Sequence, residues 1–262
     1  MSFRTLIRSN AGILAGVWLL SGLIGLALGP GEPSTQGIHL LGLDSEGRDV
    51  LRRLFAGILP TLGFAGVMSL LIAFVGSIIG VFAGLGARIV DLVSARLAEG
   101  LSAFPTFLAV LVVQGVIGHA NLWTLGLAIL LTRVPDAARI VRTEAQRLRA
   151  TDFVLAGAAL GASKLDLFRR ELWPHLFATI RSIAFAGLLP CLLAETIASL
   201  LGVGLERKLT WGAILADALG NTNAVRIVAS VTVALALVVL SLRFGVPEAP
   251  PRLFGLSRPR ER

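Results

Sequence analysis

Charge is scarce in this chain, and so are most of the residues from which active sites are built. Of 262 residues only 15% are Asp, Glu, Lys or Arg and 55% are hydrophobic, against about 25% and 45 to 50% in an ordinary soluble domain. The mean hydropathy of +0.82 excludes disorder and argues against a soluble enzyme. The single Cys191 excludes an intrachain disulfide and a thiolate metal cage, and in its apolar run it reads as a small core residue. His39, His119 and His175 fall on three separate connections with no H-x-x-x-H spacing, so no metal site is expected. Lysine occurs only at 164 and 208 and neither follows a glycine, so the chain has no G-x-x-x-x-G-K-[ST] phosphate loop. If the protein moves anything uphill, another chain must hydrolyse the nucleotide. Ser163 has no span-borne histidine as a base, so no catalytic residue is assigned.

What the chain has is long apolar runs. Residues 11 to 29 are uncharged after Arg4 and Arg8, and 19 residues exceed the 7 to 15 of a signal-peptide core, so this run is taken as a retained span. A Gly/Pro-rich stretch follows, then an interfacial amphipathic turn carrying Leu51, Leu54, Phe55 and Ile58. Further spans are expected at about 60 to 86, 99 to 118, 121 to 141, 177 to 204 and 224 to 243, giving an all-α, six-span membrane protein as one unit over residues 1 to 262. The fourth is short of apolar length, because Arg133, Pro135 and Asp136 interrupt it, and its later turns are expected to emerge into water. Gly76, Gly80 and Gly84 recur at four-residue intervals in the second, the pattern of a close helix-packing seam.

Orientation follows from the cations. With the N-terminus inside, 17 of the 24 Lys and Arg fall on inner connections and ends and 6 on outer ones, with Arg133 left within the fourth span. Both termini and the large loop at 150 to 175 should then be cytoplasmic. The net charge of +8 reports this bias and not a nucleic-acid partner.

That loop reads TDFVLAGAALGASKLDLFRRELWPHLF. Ala156, Gly157, Ala158 and Ala159 make a smooth helical face, Gly161 permits a left-handed turn, and Ser163 can cap a second helix ending before Pro174. A short helix of this kind suits a partner's cleft.

Here the sequence resembles the inner-membrane permeases of binding-protein-dependent ABC importers, specifically the C-type subunit of the dipeptide, oligopeptide and nickel group. The family's cytoplasmic signature is matched at Leu155-Ala156-Gly157, Gly161 and Leu172-Trp173-Pro174. LGLDSEGRDVLRRL at 41 to 54, AFP at 103 to 105, LLAETIASLLGVG at 192 to 204 and WGAILADA at 211 to 218 follow the group's order. The resemblance implies an ATPase-coupling element holding Asp152, Phe153, Leu155, Ala156, Gly157, Gly161, Ser163 and Pro174. It also implies a second homologous permease, two ATPase subunits that carry ATP and Mg, an external substrate-binding protein, and a place in the bacterial inner membrane, with no cofactor on this chain. The cargo it implies is peptides, nickel or metal chelates. Leu155 stands where the family usually has a glutamate, Ala158 where a basic residue is common, and Glu206, Arg207 and Lys208 replace a proline-rich stretch.

Glu195 is an ionisable residue inside a span, which is costly and marks a candidate site. It either hydrogen-bonds across helices or to the partner permease, or touches substrate, and the first reading is preferred. The basic tail from Arg252 to Arg262 either binds anionic lipid heads or is simply solvated. A channel or scaffold that uses no nucleotide is the rival reading.

Overall fold

The computed structural model describes residues 11–29, 39–86, 92, 95, 96, 98–101, 104–204, 209–219 and 223–245. The basic tail and the stretch from 205 to 208 lie outside them. The described chain is mostly helical: α1 Ala11–Leu28, α2 Val50–Leu85, α3 Thr106–Ile117, α4 Leu122–Arg149, α5 Asp152–Ala159, α6 Lys164–Leu167, a π-helical turn Phe168–Leu172, α7 Trp173–Leu200, α8 Trp211–Ala218 and α9 Ala224–Gly245. Among the described residues three stretches, Val50–Leu85, Trp173–Leu200 and Ala224–Ser241, are long and apolar enough to cross a membrane.

α2 is the central rod, and its neighbours can be read by direction. A Cβ on Gly76 would lie 2.5 Å from the Ala137 Cβ, one on Gly80 2.6 Å from the Ala138 carbonyl, and one on Gly84 2.8 Å from the Ala145 Cβ. Numbers rise together along this seam, so α2 and α4 run parallel in close backbone contact, as the four-residue glycine repeat predicts. Parallel neighbours require the intervening chain to travel back, and α3, antiparallel to α4, supplies the last 12 residues of that return. It ends on Gly118 at φ 80°, and Thr106 and Thr132 meet across the α3–α4 hairpin at 3.2 Å. α1 is antiparallel to α2, with Gly22 against Ile58 and Leu59 and Gly25 against the Phe55 backbone. α7 is also antiparallel to α2, since Ser69 donates to the Ala184 carbonyl while Thr196 and Ser199 lie with α8 near the start of α2.

Three boundaries differ from the expectations above, two for a tertiary reason and one for a local one. The amphipathic turn and the second span form one helix of 36 residues running through Pro60. Proline removes the amide that would reach back to Ala56, and Trp211 splints the gap, its Nε1 donating to the Leu54 carbonyl at 2.9 Å and its amide to Thr61 Oγ1 at 3.1 Å. α4 continues to Arg149, because Ala137, Ala138, Val141, Ala145 and Leu148 keep one face buried while Arg147 pairs with Glu144 on another at 2.7 Å. The helix after Gly161 does not stop before Pro174. Pro174 falls in the first turn of α7, where a missing amide is tolerated, and the Trp173 amide reaches the Phe168 carbonyl five residues back, so helix is continuous from Lys164 to Leu200.

Candidate functional site

Of the resemblance-derived residues, Asp152, Phe153, Leu155, Ala156, Gly157, Gly161 and Ser163 lie in a helix–turn–helix of α5, the Gly161 turn and α6, and Pro174 lies further on, in the first turn of α7. Helix α5 closes with a Schellman-type pattern: Gly161 sits at φ 83° and the Ala162 amide donates to the Gly157 carbonyl at 3.1 Å. Ser163 caps α6 as expected, its Oγ accepting from the Asp166 amide at 3.1 Å and donating to the Asp166 carboxylate at 2.6 Å. A Cβ on Gly157 would lie 2.7 Å from Leu167 Cδ2, so α5 and α6 meet there and a larger residue would need the leucine tip to shift. The anchor beneath is Val154, buried, with Leu172.

The outer surface of this knob is apolar. Phe153, Leu155 (56% exposed) and Leu160 (89% exposed) project from it, and Asp152, Ala156, Ser163 and Pro174 are exposed with them. The Phe153 ring stacks at 5.8 Å on His175, which fixes it relative to the start of α7. Exposed apolar side chains on a short helix beside charged turns mark an interaction surface.

Glu195 is not part of this knob. It lies near the opposite end of α7, fully buried within the chain, where its Oε1 accepts from Ser199 Oγ at 2.7 Å and Ser199 Oγ lies 3.5 Å from Thr210 Oγ1. Gly212 packs directly on Thr196 and Ser199, so this polar knot joins α7 to the start of α8.

One cluster escaped the sequence reading. In the loop before α2, Asp44 Oδ1 accepts the amides of Glu46 and Arg48 at 2.8 and 2.9 Å, and its Oδ2 meets Arg48 Nε at 2.9 Å and Arg53 Nη1 at 2.5 Å. Arg53 Nη1 also reaches Asp217 of α8 at 2.8 Å. Arg53 is 1% exposed, so loop, α2 and α8 are held by a buried guanidinium. Burial alone would raise the Asp44 carboxyl, but the Arg48 amide and the guanidinium groups of Arg48 and Arg53 outweigh it and hold it below the usual carboxylate range. The only sequence signal was the alternation of acid and base in LGLDSEGRDVLRRL, and nothing in that segment points to a partner 164 residues away.

The described chain thus combines helices long and apolar enough to cross a membrane with an exposed apolar helix–turn–helix beside one of them. The binding-protein-dependent transport system inner membrane component family matches residues 76–246, and the chain belongs to that family. It is similar to a putative peptide transport system permease protein of Brucella suis, 30% identical over 232 residues, 83% of this chain and 78% of that one. It is also similar to the dipeptide transport system permease protein DppC of Bacillus subtilis, 32% identical over 69% of this chain and 57% of that one, and to the oligopeptide permease OppC of Haemophilus influenzae, 29% identical over 71% and 60%. Among solved structures, an inward-facing MetNI methionine ABC transporter chain matches the fold with TM-score 0.53 and 17% identity, covering 74% of this chain and 97% of that one. The protein is a permease component of a binding-protein-dependent ABC importer.

Proposed function

We propose that this chain carries peptides as one of two homologous permease subunits, with two ATPase subunits supplying ATP hydrolysis and Mg and an external binding protein delivering the cargo. The observation that carries the reading is the exposed α5 knob joined to α7 by unbroken helix from Lys164 to Leu200. A push on α5 passes through the Gly161 turn into α6, and from there along continuous helix to a long apolar span. Asp152, Phe153, Leu155, Ala156, Gly157, Gly161, Ser163 and Pro174 form the ATPase-coupling element in this reading. The naming of relatives as peptide, dipeptide and oligopeptide permeases favours peptides over nickel or metal chelates.

The membrane topology in this reading is a single domain of six spans with both ends cytoplasmic, formed by α1, α2, α3 with the helical residues before it, α4, α7 and α9. The alternating helix directions support it. One set of cells, lacking other peptide uptake and expressing the complete importer, tests both parts. Peptide uptake should require a phosphate-loop ATPase that co-purifies with the chain, and hydrolysis by the isolated chain would overturn the division of labour. In a Cys191→Ser background, an impermeant thiol reagent added outside should label cysteines placed at Ser45 and Leu219 and spare those at Leu160 and Arg149. The reverse pattern would invert the topology.

Glu195 acts in this reading as the lock between α7 and α8, not as a substrate contact. Glu195→Gln keeps the Ser199 hydrogen bond and should leave the purified complex near wild-type thermal stability. Glu195→Ala strands Ser199 in a buried site, at a cost of about 1 to 3 kcal/mol. A changed peptide preference in either variant, with stability intact, would move Glu195 to the substrate path.

A further inference from the structure

Between α2 and α7 runs an open groove of about 720 Å³, walled by apolar side chains that include Phe74 and Phe82 of α2 and Phe177 and Phe185 of α7. Two polar side chains line it, Ser77 and Arg181. The Ser77 hydroxyl is occupied, donating to the Ala73 carbonyl of its own helix. Arg181 is exposed to the groove and has no carboxylate at ion-pair distance among the described residues, although the rest of the lining is apolar apart from Ser77 and the Trp173 indole.

Its depth can be read from the packing. Ser69 is level with Ala184 through their hydrogen bond, and Arg181 lies one turn further along α7 toward Trp173. Because the helices are antiparallel, that places it beside the α2 turn that follows Ser69. On its own helix Arg181 stands eight residues, about 12 Å at 1.5 Å per residue, from Trp173, with no Asp, Glu, Lys or Arg between them. An arginine stem laid along the helix covers only part of that distance. A cation at such depth on an outward face of a span is expensive against lipid, and such residues face water-filled paths or anions and mark substrate routes.

Resting on the peptide reading above, we propose that Arg181 binds the carboxylate of the transported peptide as it passes along the α2–α7 groove. The groove's volume lies in the range of small-molecule sites, about 300 to 1,000 Å³. Its walls suit the division of labour a peptide carrier needs. Aromatic and aliphatic surfaces accept varied side chains without directional demands, while a planar guanidinium takes the terminal carboxylate through two parallel hydrogen bonds. Every unmodified peptide presents that group, whatever its sequence.

The test compares trialanine with trialanine amide in proteoliposomes holding the complete importer and its binding protein, each rate expressed relative to wild type for the same peptide. Arg181→Gln should lower initial uptake of the free acid tenfold or more and of the amide less than twofold, with the partner permease and ATPases still co-purifying. Arg181→Lys keeps the charge but not the fork and should fall between. Equal loss for both peptides would assign Arg181 to a carboxylate of the partner permease or to the fold, and unchanged uptake of both would make it a solvated side chain. Either result overturns the inference while wild-type transport stands. If the wild-type importer carries neither peptide, the peptide reading fails first and the Arg181 contact with it.

Discussion

Gly161→Val is expected to separate ATP hydrolysis from transport almost completely. The residue sits at φ 83°, a backbone region that a β-branched side chain resists strongly, and nothing crowds its α-carbon. The penalty is therefore conformational and not steric, and the turn must open to relieve it. Opening it detaches α5 from α6 and breaks the rigid path into α7. The reconstituted importer should keep hydrolysing ATP while binding-protein-stimulated uptake falls tenfold or more. Leu155→Asp tests the same knob from its surface. If the ATPase cleft covers the exposed Leu155 side chain, that burial is worth roughly 1.5 to 3 kcal/mol, more than a partly exposed ion pair of about 1 kcal/mol or less. Apolar packing by Phe153 and Leu155 can thus stand in for the glutamate usual in the resembling family. The aspartate variant should lose the ATPase on purification. Should both variants keep ATPase retention and coupled uptake, this knob is not the docking element.

Arg53→Met is expected to be the most damaging single change to stability at the other end of the molecule. It leaves Asp44, 1% exposed at its side chain, without one of its two guanidinium partners and frees Asp217 from α2. Removing one member of a buried pair costs about 3 to 5 kcal/mol, which should appear as a large fall in the thermal midpoint of the detergent-purified chain. Asp217→Asn should cost much less, because Asp217 is 22% exposed at its side chain and Arg53 keeps Asp44. The double variant Asp44→Asn with Arg53→Met should be less damaged than Arg53→Met alone, since the stranded charge is gone. A double variant as unstable as the two single losses added together would show that the residues are not coupled. The pH dependence has a definite sign. The Asp44 carboxyl is lowered in the folded state, so its contribution is complete above the ordinary carboxylate value of about 3.9 and is lost as pH falls through the lower folded value.

The helix–turn–helix from Asp152 to Leu167 was legible because its rules are local. A glycine with positive φ, a serine three residues before the amide it caps and a run of small residues all act within one or two turns. The glycine seam at 76, 80 and 84 was legible for the same reason, since its period alone announces close packing. The length of α4 was hidden because charges that look like a helix end turned out to occupy one face of a helix whose other face is covered by α2. The passage of α2 through Pro60 was hidden more deeply, because the groups that splint it belong to Trp211. Asp44, Arg53 and Asp217 stood in quoted segments, yet no spacing rule joins residues that meet only after the chain has crossed the bundle several times. Arg181 falls within the span expected at 177 to 204, and only the level of Ser69 against Ala184 places it beside α2 in the groove.

The splint at Pro60 also bears on how the protein sits in its lipid. α2 has 36 residues and is about 54 Å long at 1.5 Å per residue, against a hydrocarbon core of about 30 Å. A long span can shorten its projection by kinking, and proline is the usual place. Here Trp211 holds the chain on both sides of that place, and Arg53 pins the first turn to α8, so these contacts oppose bending at Pro60. The surplus length is then met by tilt of the whole helix, by its far turns standing above the lipid under the cover of α1 and α8, or by local thickening of the bilayer. The working conformation should therefore respond to acyl-chain length, with short-chain lipids taxing this permease more than long-chain ones.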